Sequence, residues 1–200
     1  MARFPAIMLA LSFLLAGSPA QAEWPRPELR LAAGSAGSVT GEPGGGGVSL
    51  AAGLNYSVTE RFGFGFRLFA DDLGTDETRL LDPNDGTDLG AVVQGHRWTY
   101  GAAWSGSAEV THWGRLGLDA LGEFGYWREE ADVRGRTQSA SSAVGFTLGG
   151  AAVWPLTGAH GLAAVARYHR VMSARDIEFS RVDRYTTLTL QWRWDLAPQR

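Results

Sequence analysis

The closing stretch of the chain, YTTLTLQWRWDL at residues 185–196, decides the fold class. From Leu188 to Trp194 its even positions hold only leucine and tryptophan, whereas its odd positions hold threonine, glutamine and arginine. A period of two residues puts alternate side chains on opposite faces, which is typical of a β-strand and not of a helix. FGFGFRL at residues 62–68 and the stretch 115–127 alternate in the same way. The sequence therefore predicts an all-β chain.

Eight segments of this kind divide the chain. Most of them are 10 to 14 residues long, whereas strands of soluble proteins usually have about 5–6 residues and a strand that crosses a bilayer needs about 9–11. Their length therefore favours membrane-spanning strands. The segments lie at residues 28–37, 47–58, 61–71, 95–107, 115–127, 141–154, 161–171 and 183–196.

The connections between these segments alternate in length. Residues 59–60, 109–114 and 155–160 form short turns, and residues 38–46, 72–94, 128–140 and 172–182 form longer, more polar loops. Outer-membrane barrels have short periplasmic turns and longer outer loops. The pattern predicts an eight-stranded antiparallel up-and-down transmembrane β-barrel, with both termini on the periplasmic side.

The first residues have the features of an export signal. Arg3 supplies the positive charge, residues 6–16 are apolar, and Ala20-Gln21-Ala22 matches a cleavage site. We expect a signal peptide over residues 1–22 and one barrel domain over residues 23–200, located in the cell outer membrane. The chain has no cysteine, which excludes disulfides and a lipid-modified cysteine, and its net charge of −3 argues against a nucleic-acid partner.

The two faces of the strands differ in a way that predicts their orientation. The odd positions are rich in glycine and alanine, which suit the narrow interior of an eight-stranded barrel. Aromatic residues on the even positions gather near both strand ends, as in the two aromatic girdles of a lipid-facing surface. Outer-membrane lipids are therefore the expected partners. The alternative is a water-soluble barrel whose apolar face lines a ligand cavity.

Three stretches resemble the OmpA/OmpX-type superfamily of small outer-membrane barrels: LNYSVTERFGF at residues 54–64, WPLTG at residues 154–158, and the closing strand. The resemblance implies a Gram-negative cell envelope, insertion by the barrel-assembly machinery, a monomer, and no cofactor. Such proteins often end on an aromatic residue, whereas here Trp194 is followed by a tail at residues 195–200.

One enzyme family with a similar barrel, the lipid A deacylases, provides a test for catalysis. These enzymes place a catalytic histidine and serine two residues apart on one strand, but His169 and Ser173 are four residues apart, about 13 Å along a strand. A direct hydrogen bond between them needs about 2.6–3.2 Å. We therefore predict a non-enzymatic protein in which His169 forms hydrogen bonds in the lumen. The protein would act in envelope integrity or surface interaction through its outer loops. A lipid-modifying enzyme or a carrier of small apolar molecules is the alternative.

The acidic stretch DPNDGTD at residues 82–88 superficially resembles a calcium loop. Asp82, Asn84, Asp85 and Asp88 are its candidate ligands. The spacing is one residue shorter than that of an EF-hand, and no glutamate closes the loop. Turn formation explains these residue types without a metal, so the calcium site is a weak candidate.

Charged residues on the odd positions predict a network inside the barrel. An ion in a narrow interior is costly unless it is paired and hydrogen-bonded. We predict Glu123 as the hub of a salt-bridge network with Arg67 and Arg167, and a lower layer of Asp119 and Arg193; the alternative is that some arginines extend into water near the loops. The full predicted lumen set is Glu123, Asp119, Arg67, Arg97, Arg167 and Arg193.

Overall fold

The structure is a computed structural model that describes residues 26–39, 46–81, 87–133, 136–139, 143–156, 158–172 and 184–197. The predicted signal peptide at residues 1–22 lies outside these ranges. No helix in the described ranges is long and apolar enough to cross a membrane. The strands are β1 (Arg26–Ser38), β2 (Gly47–Ser57), β3 (Phe62–Leu81), β4 (Asp88–Trp113), β5 (Leu116–Val133), β6 (Arg136–Ser139), β7 (Ala143–Pro155), β8 (His160–Met172) and β9 (Arg184–Asp195).

The strands form one closed antiparallel sheet. Apart from β6 and β7, which both pair with β5, each strand pairs with its neighbours along the chain. β1 pairs with β9, so that Leu31 lies between Ala52 and Trp192. Strand β5 pairs with β7 over its first part and with β6 at its far end, from Glu130 to Val133. β6 and β7 therefore take the place of one barrel strand beside β5. The predicted eight-stranded antiparallel barrel is confirmed.

Three strands are longer than the alternation predicts. β3, β4 and β5 have 20, 26 and 18 residues, whereas β1, β2 and β7 to β9 have 11 to 13. The prediction of a loop over residues 72–94 was wrong. Pairing continues past a register shift between Asp72 and Gly74, and Leu81 still pairs with Asp88. Acidic residues mark exposure to water but do not prevent pairing, and the threonines and valines among them favour strands.

Two other predicted connections also contain strand. In the predicted outer loop at residues 128–140, β5 continues to Val133 and β6 pairs with it. The predicted turn at residues 109–114 is reduced to Gly114 and Arg115, because β4 runs to Trp113 through a register shift between Glu109 and Thr111. Gly114 has a φ of 60°, a left-handed conformation that glycine adopts without a steric penalty.

The predicted orientation of the faces holds on β2, β5 and β7 to β9, on β3 as far as Asp72 and on β4 as far as Glu109. Beyond the register shift in β3 the parity reverses, since Gly74 is buried and Thr75 is exposed. On β1 the even residues Ala32 and Ala36 are buried and Leu31 is exposed. The outer surface is a continuous apolar belt. Its exposed members include Leu31, Leu50, Phe62, Phe64, Trp104, Phe124, Leu148, Leu188, Leu190, Trp192 and Trp194.

The strands pack so closely at one interior glycine that a larger residue there would clash with the neighbouring backbone. A Cβ atom on Gly125 would lie 2.1 Å from the carbonyl oxygen of Ala102 and 2.5 Å from the Cα atom of Ala103. We expect Gly125→Ala to lower the free energy of unfolding by about 1–3 kcal/mol, the usual cost of overpacking. Gly122→Ala is the matched control, because a Cβ atom there meets nothing within 4 Å. Equal urea-unfolding midpoints for the two variants would contradict this packing.

Candidate functional site

The centre of the lumen holds one carboxylate between two guanidinium groups. Glu123 on β5 accepts hydrogen bonds from Arg67 on β3, with Nη2–Oε2 at 2.6 Å and Nε–Oε1 at 3.0 Å. Arg167 on β8 donates from Nε to Oε1 at 3.2 Å. All three side chains are buried. The structure thus brings together the three residues that the sequence analysis grouped around Glu123.

Small neighbours make room for these long side chains. Arg67 lies between Gly53 and Ala103 on the adjacent strands, and Gly149 pairs with Arg167. The guanidinium carbon of Arg67 lies 4.5 Å from the centre of the Phe69 ring, which is a favourable cation–π distance. The glycine-rich odd face therefore positions the charged layer.

Below this layer, on the side of the short turns, lies a second set of ion pairs. Arg193 Nη2 donates to Asp119 Oδ2 at 3.1 Å, and Arg193 Nε donates to Gln191 Oε1 at 3.3 Å. Arg30 forms a close ion pair with Glu28. The first pair corresponds to the lower layer of the sequence analysis. The Arg30–Glu28 pair was not predicted because the residues of β1 have the opposite parity. The alternation in Leu29-Arg30-Leu31 could have revealed it.

Arg97 lies apart from the Glu123 layer. Its Nη1 donates to Glu129 Oε1 at 3.2 Å near the other end of the lumen, and both side chains are buried. Arg97 belongs to the lumen set predicted from the sequence, but Glu129 was not predicted as its partner. The fifth predicted segment ends at residue 127, so Glu129 was counted as part of a loop.

Between the Glu123 and Arg97 layers, a chain of hydrogen bonds crosses the lumen. Trp127 Nε1 donates to the hydroxyl of Tyr185 at 3.0 Å, and that hydroxyl donates to Asp71 Oδ2 at 3.0 Å. Ser49 Oγ donates to Asp71 Oδ1 at 2.5 Å. These four side chains are fully buried. They join four different strands across the lumen.

His169 belongs to the same closed layer. Its ring nitrogens lie 2.8 Å from Thr147 Oγ1 and 3.2 Å from Thr187 Oγ1. The ring stacks on Tyr185 with a centroid distance of 4.3 Å. Both nitrogens are therefore occupied by threonine hydroxyls, which suits a packing role. Ser173, its possible catalytic partner, lies outside the described residues.

The candidate calcium loop falls largely outside the structure's described ranges. Asp82, Asn84 and Asp85 are not described, and Asp88 is the first residue of β4. Among the residues that are described, no group of three or more histidine, aspartate or glutamate side chains is placed to hold a metal ion.

Comparison with solved structures identifies the fold. Neisserial surface protein A matches with a TM-score of 0.59 and 13% identity, covering 86% of this chain and 96% of that one. A major outer membrane protein of Thermus thermophilus matches with a TM-score of 0.57 and 13% identity, covering 84% and 98%. No family model and no curated protein matches the chain. The chain has the fold of the small outer-membrane barrels, as its resemblance to the OmpA/OmpX-type superfamily implied.

Proposed function

We propose that this chain is a non-enzymatic barrel protein of the outer membrane that acts in the envelope through its outer strands and loops. The observation that carries the proposal is the distribution of polarity in the barrel wall. Buried ion pairs such as Arg67–Glu123 fill the lumen, whereas leucines and aromatic residues cover the outside. A soluble barrel needs the opposite arrangement, because water does not favour so large an apolar surface.

The filled lumen also argues against a carrier of small apolar molecules. Such a ligand needs an apolar cavity, but the middle of this barrel is occupied by arginines, Glu123 and the layer around Tyr185. The side chains available to contact lipid are those of the outer belt. We propose that outer-membrane lipids and, during insertion, the barrel-assembly machinery are the partners of this belt.

The outer end offers the surface for an interaction partner. There β3, β4 and β5 continue beyond the other strands as a paired extension, and β6 adds a short strand to its edge. Residues 72–88 carry six acidic residues and one arginine. This acidic extension supports a role in contacts outside the membrane with a partner still to be identified.

The proposal can be tested by locating the protein and its outer end. We expect the mature chain to sediment with outer membranes and to migrate faster on gels when unheated, because a closed barrel resists detergent unfolding. A small epitope inserted at residues 83–86 should be labelled on intact cells, whereas one in the turn at residues 156–159 should need permeabilised cells. Recovery in the soluble periplasmic fraction would refute the membrane location, and the reverse labelling would refute the orientation.

A further inference from the structure

The lumen widens below the Glu123 layer into a cavity that opens between the short turns. We call it the vestibule; its volume is about 330 Å³, and its lining includes Asn55, Ser57, Gly63, Ser107 and Gly117. The buried ion pairs of Glu123 with Arg67 and Arg167 lie above it. Sites for small molecules commonly have volumes of about 300–1,000 Å³. The vestibule lies at the lower end of this range.

One buried side chain in the vestibule lacks hydrogen-bond partners. Asn55 is 2% exposed, and neither its Nδ2 nor its Oδ1 has a partner among the described residues. Leaving such an amide unpaired is costly, so buried amides in proteins are nearly always bonded to protein, water or ligand. Both amide atoms are buried, so a ligand in the vestibule reaches them once the Asn55 side chain turns toward it. The amide then offers both a donor and an acceptor.

Glycine at residue 63 leaves room for the side chains of Asn55 and Ser107. A Cβ atom on Gly63 would lie 2.7 Å from Asn55 Nδ2 and 2.9 Å from Ser107 Oγ. The two polar groups therefore lie together against the backbone of Gly63, beside the vestibule. Among the residues that the structure describes, the Ser107 hydroxyl makes one long hydrogen bond, of 3.5 Å to the carbonyl of Gly63, so it is available to a ligand.

Acidic and arginine side chains are equal in number around the vestibule, so it has no net charge that would attract a charged ligand. Four carboxylates and four guanidinium groups line the vestibule. Two pairs of them, Asp119–Arg193 and Glu28–Arg30, form salt bridges with each other. Selectivity must then come from the uncharged hydrogen-bonding groups. The ionisable lining consists of Glu28, Glu60, Glu109, Asp119, Arg30, Arg61, Arg115, Arg193 and His112.

We propose that the vestibule binds a neutral, hydroxylated small molecule about the size of a monosaccharide. Each hydroxyl group of such a ligand both donates and accepts, which matches the paired donor and acceptor of Asn55 and the hydroxyl of Ser107. The ligand enters from the periplasmic side, so this site is separate from the proposed contacts of the outer extension. Water is the competing occupant.

The test uses the folded mature chain in a zwitterionic detergent that has no sugar headgroup. Glucose is titrated while the side-chain amide resonances of Asn55 are followed by NMR, with glucose 6-phosphate and glucosamine as charged counterparts. We expect a saturable shift with glucose and at least tenfold weaker binding of both charged sugars. Asn55→Ala should weaken glucose binding about tenfold, since it removes up to two hydrogen bonds, and Thr186→Ala on the outer face should leave it unchanged.

Several results would overturn the site. The absence of a saturable shift at the Asn55 amide, or equal binding of the charged sugars, would do so. An Asn55→Ala protein with a lowered urea-unfolding midpoint and unchanged glucose binding would mean that Asn55 holds structural water only. If Asn55→Ala does not fold, Ser107→Ala replaces it, and a glucose affinity equal to that of the parent would likewise contradict the proposal.

Discussion

Replacing Glu123 with alanine is expected to lower the free energy of unfolding by about 3–5 kcal/mol, the cost of breaking a buried ion pair by removing one partner. The large effect follows from the position of the carboxylate. Glu123 accepts hydrogen bonds from both Arg67 and Arg167 and is the only acid bonded to either in the described part of the chain. Without it, two buried guanidinium groups face each other unpaired. The urea-unfolding midpoint in detergent micelles measures the loss.

A carboxylate on the outer side of the same strand provides the control. Glu130 lies seven residues further along β5 and accepts a hydrogen bond of 2.7 Å from the partly exposed Tyr100 hydroxyl. We expect Glu130→Ala to cost about 0.5–1.5 kcal/mol, as for an ordinary hydrogen bond. A Glu123→Ala midpoint no lower than that of Glu130→Ala would show that water solvates the arginines.

The Glu123→Ala barrel should nevertheless stay closed to ions. Removing the carboxylate leaves the side chains of Arg67 and Arg167 in the lumen, and the layer of Trp127, Tyr185 and His169 above them remains intact. The conductance of the variant in planar bilayers should therefore equal that of the parent. The free energy of unfolding depends on the missing carboxylate, whereas the closure to ions depends on the side chains that remain.

The sequence was sufficient to identify the inward face of most strands, because the alternation reports it directly. Knowing that face, the rule that a buried charge must be paired brings Glu123, Arg67 and Arg167 together as candidates. The predicted layers grouped Glu123 with Arg67 and Arg167, but the partner of Arg97 was not predicted. Glu123 and Arg67 are 56 residues apart in the chain, and their relative height depends on the stagger of the closed sheet, which no local pattern encodes.

Other features could not be predicted for separate reasons. The bond between Tyr185 and Asp71 links residues 114 positions apart across the lumen, so it depends on the whole closure. Strand β1 reverses the parity seen elsewhere, which hid Arg30 from the predicted lumen set. The outer extension of β3 and β4 was mistaken for a loop because of its acidic residues. Such residues indicate contact with water, but they occur both in loops and in strands that extend beyond the membrane.

An arginine placed in the middle of the apolar belt is expected to destabilise the barrel according to its depth. Leu190 on β9 is exposed on the outer face, with Ala33 and Ala164 beside it, and Leu190→Arg should cost about 2–4 kcal/mol in a lipid bilayer. Thr186→Arg, four residues nearer the outer end on the same face, should cost about 0–1 kcal/mol. Two residues further toward the outer end, Arg184 lies opposite Arg170 on the neighbouring strand, so arginines already occupy that level. Because the two variants share the strand, the face and the introduced charge, they differ mainly in depth in the membrane. Equal unfolding midpoints in lipid vesicles would mean that the belt does not face lipid.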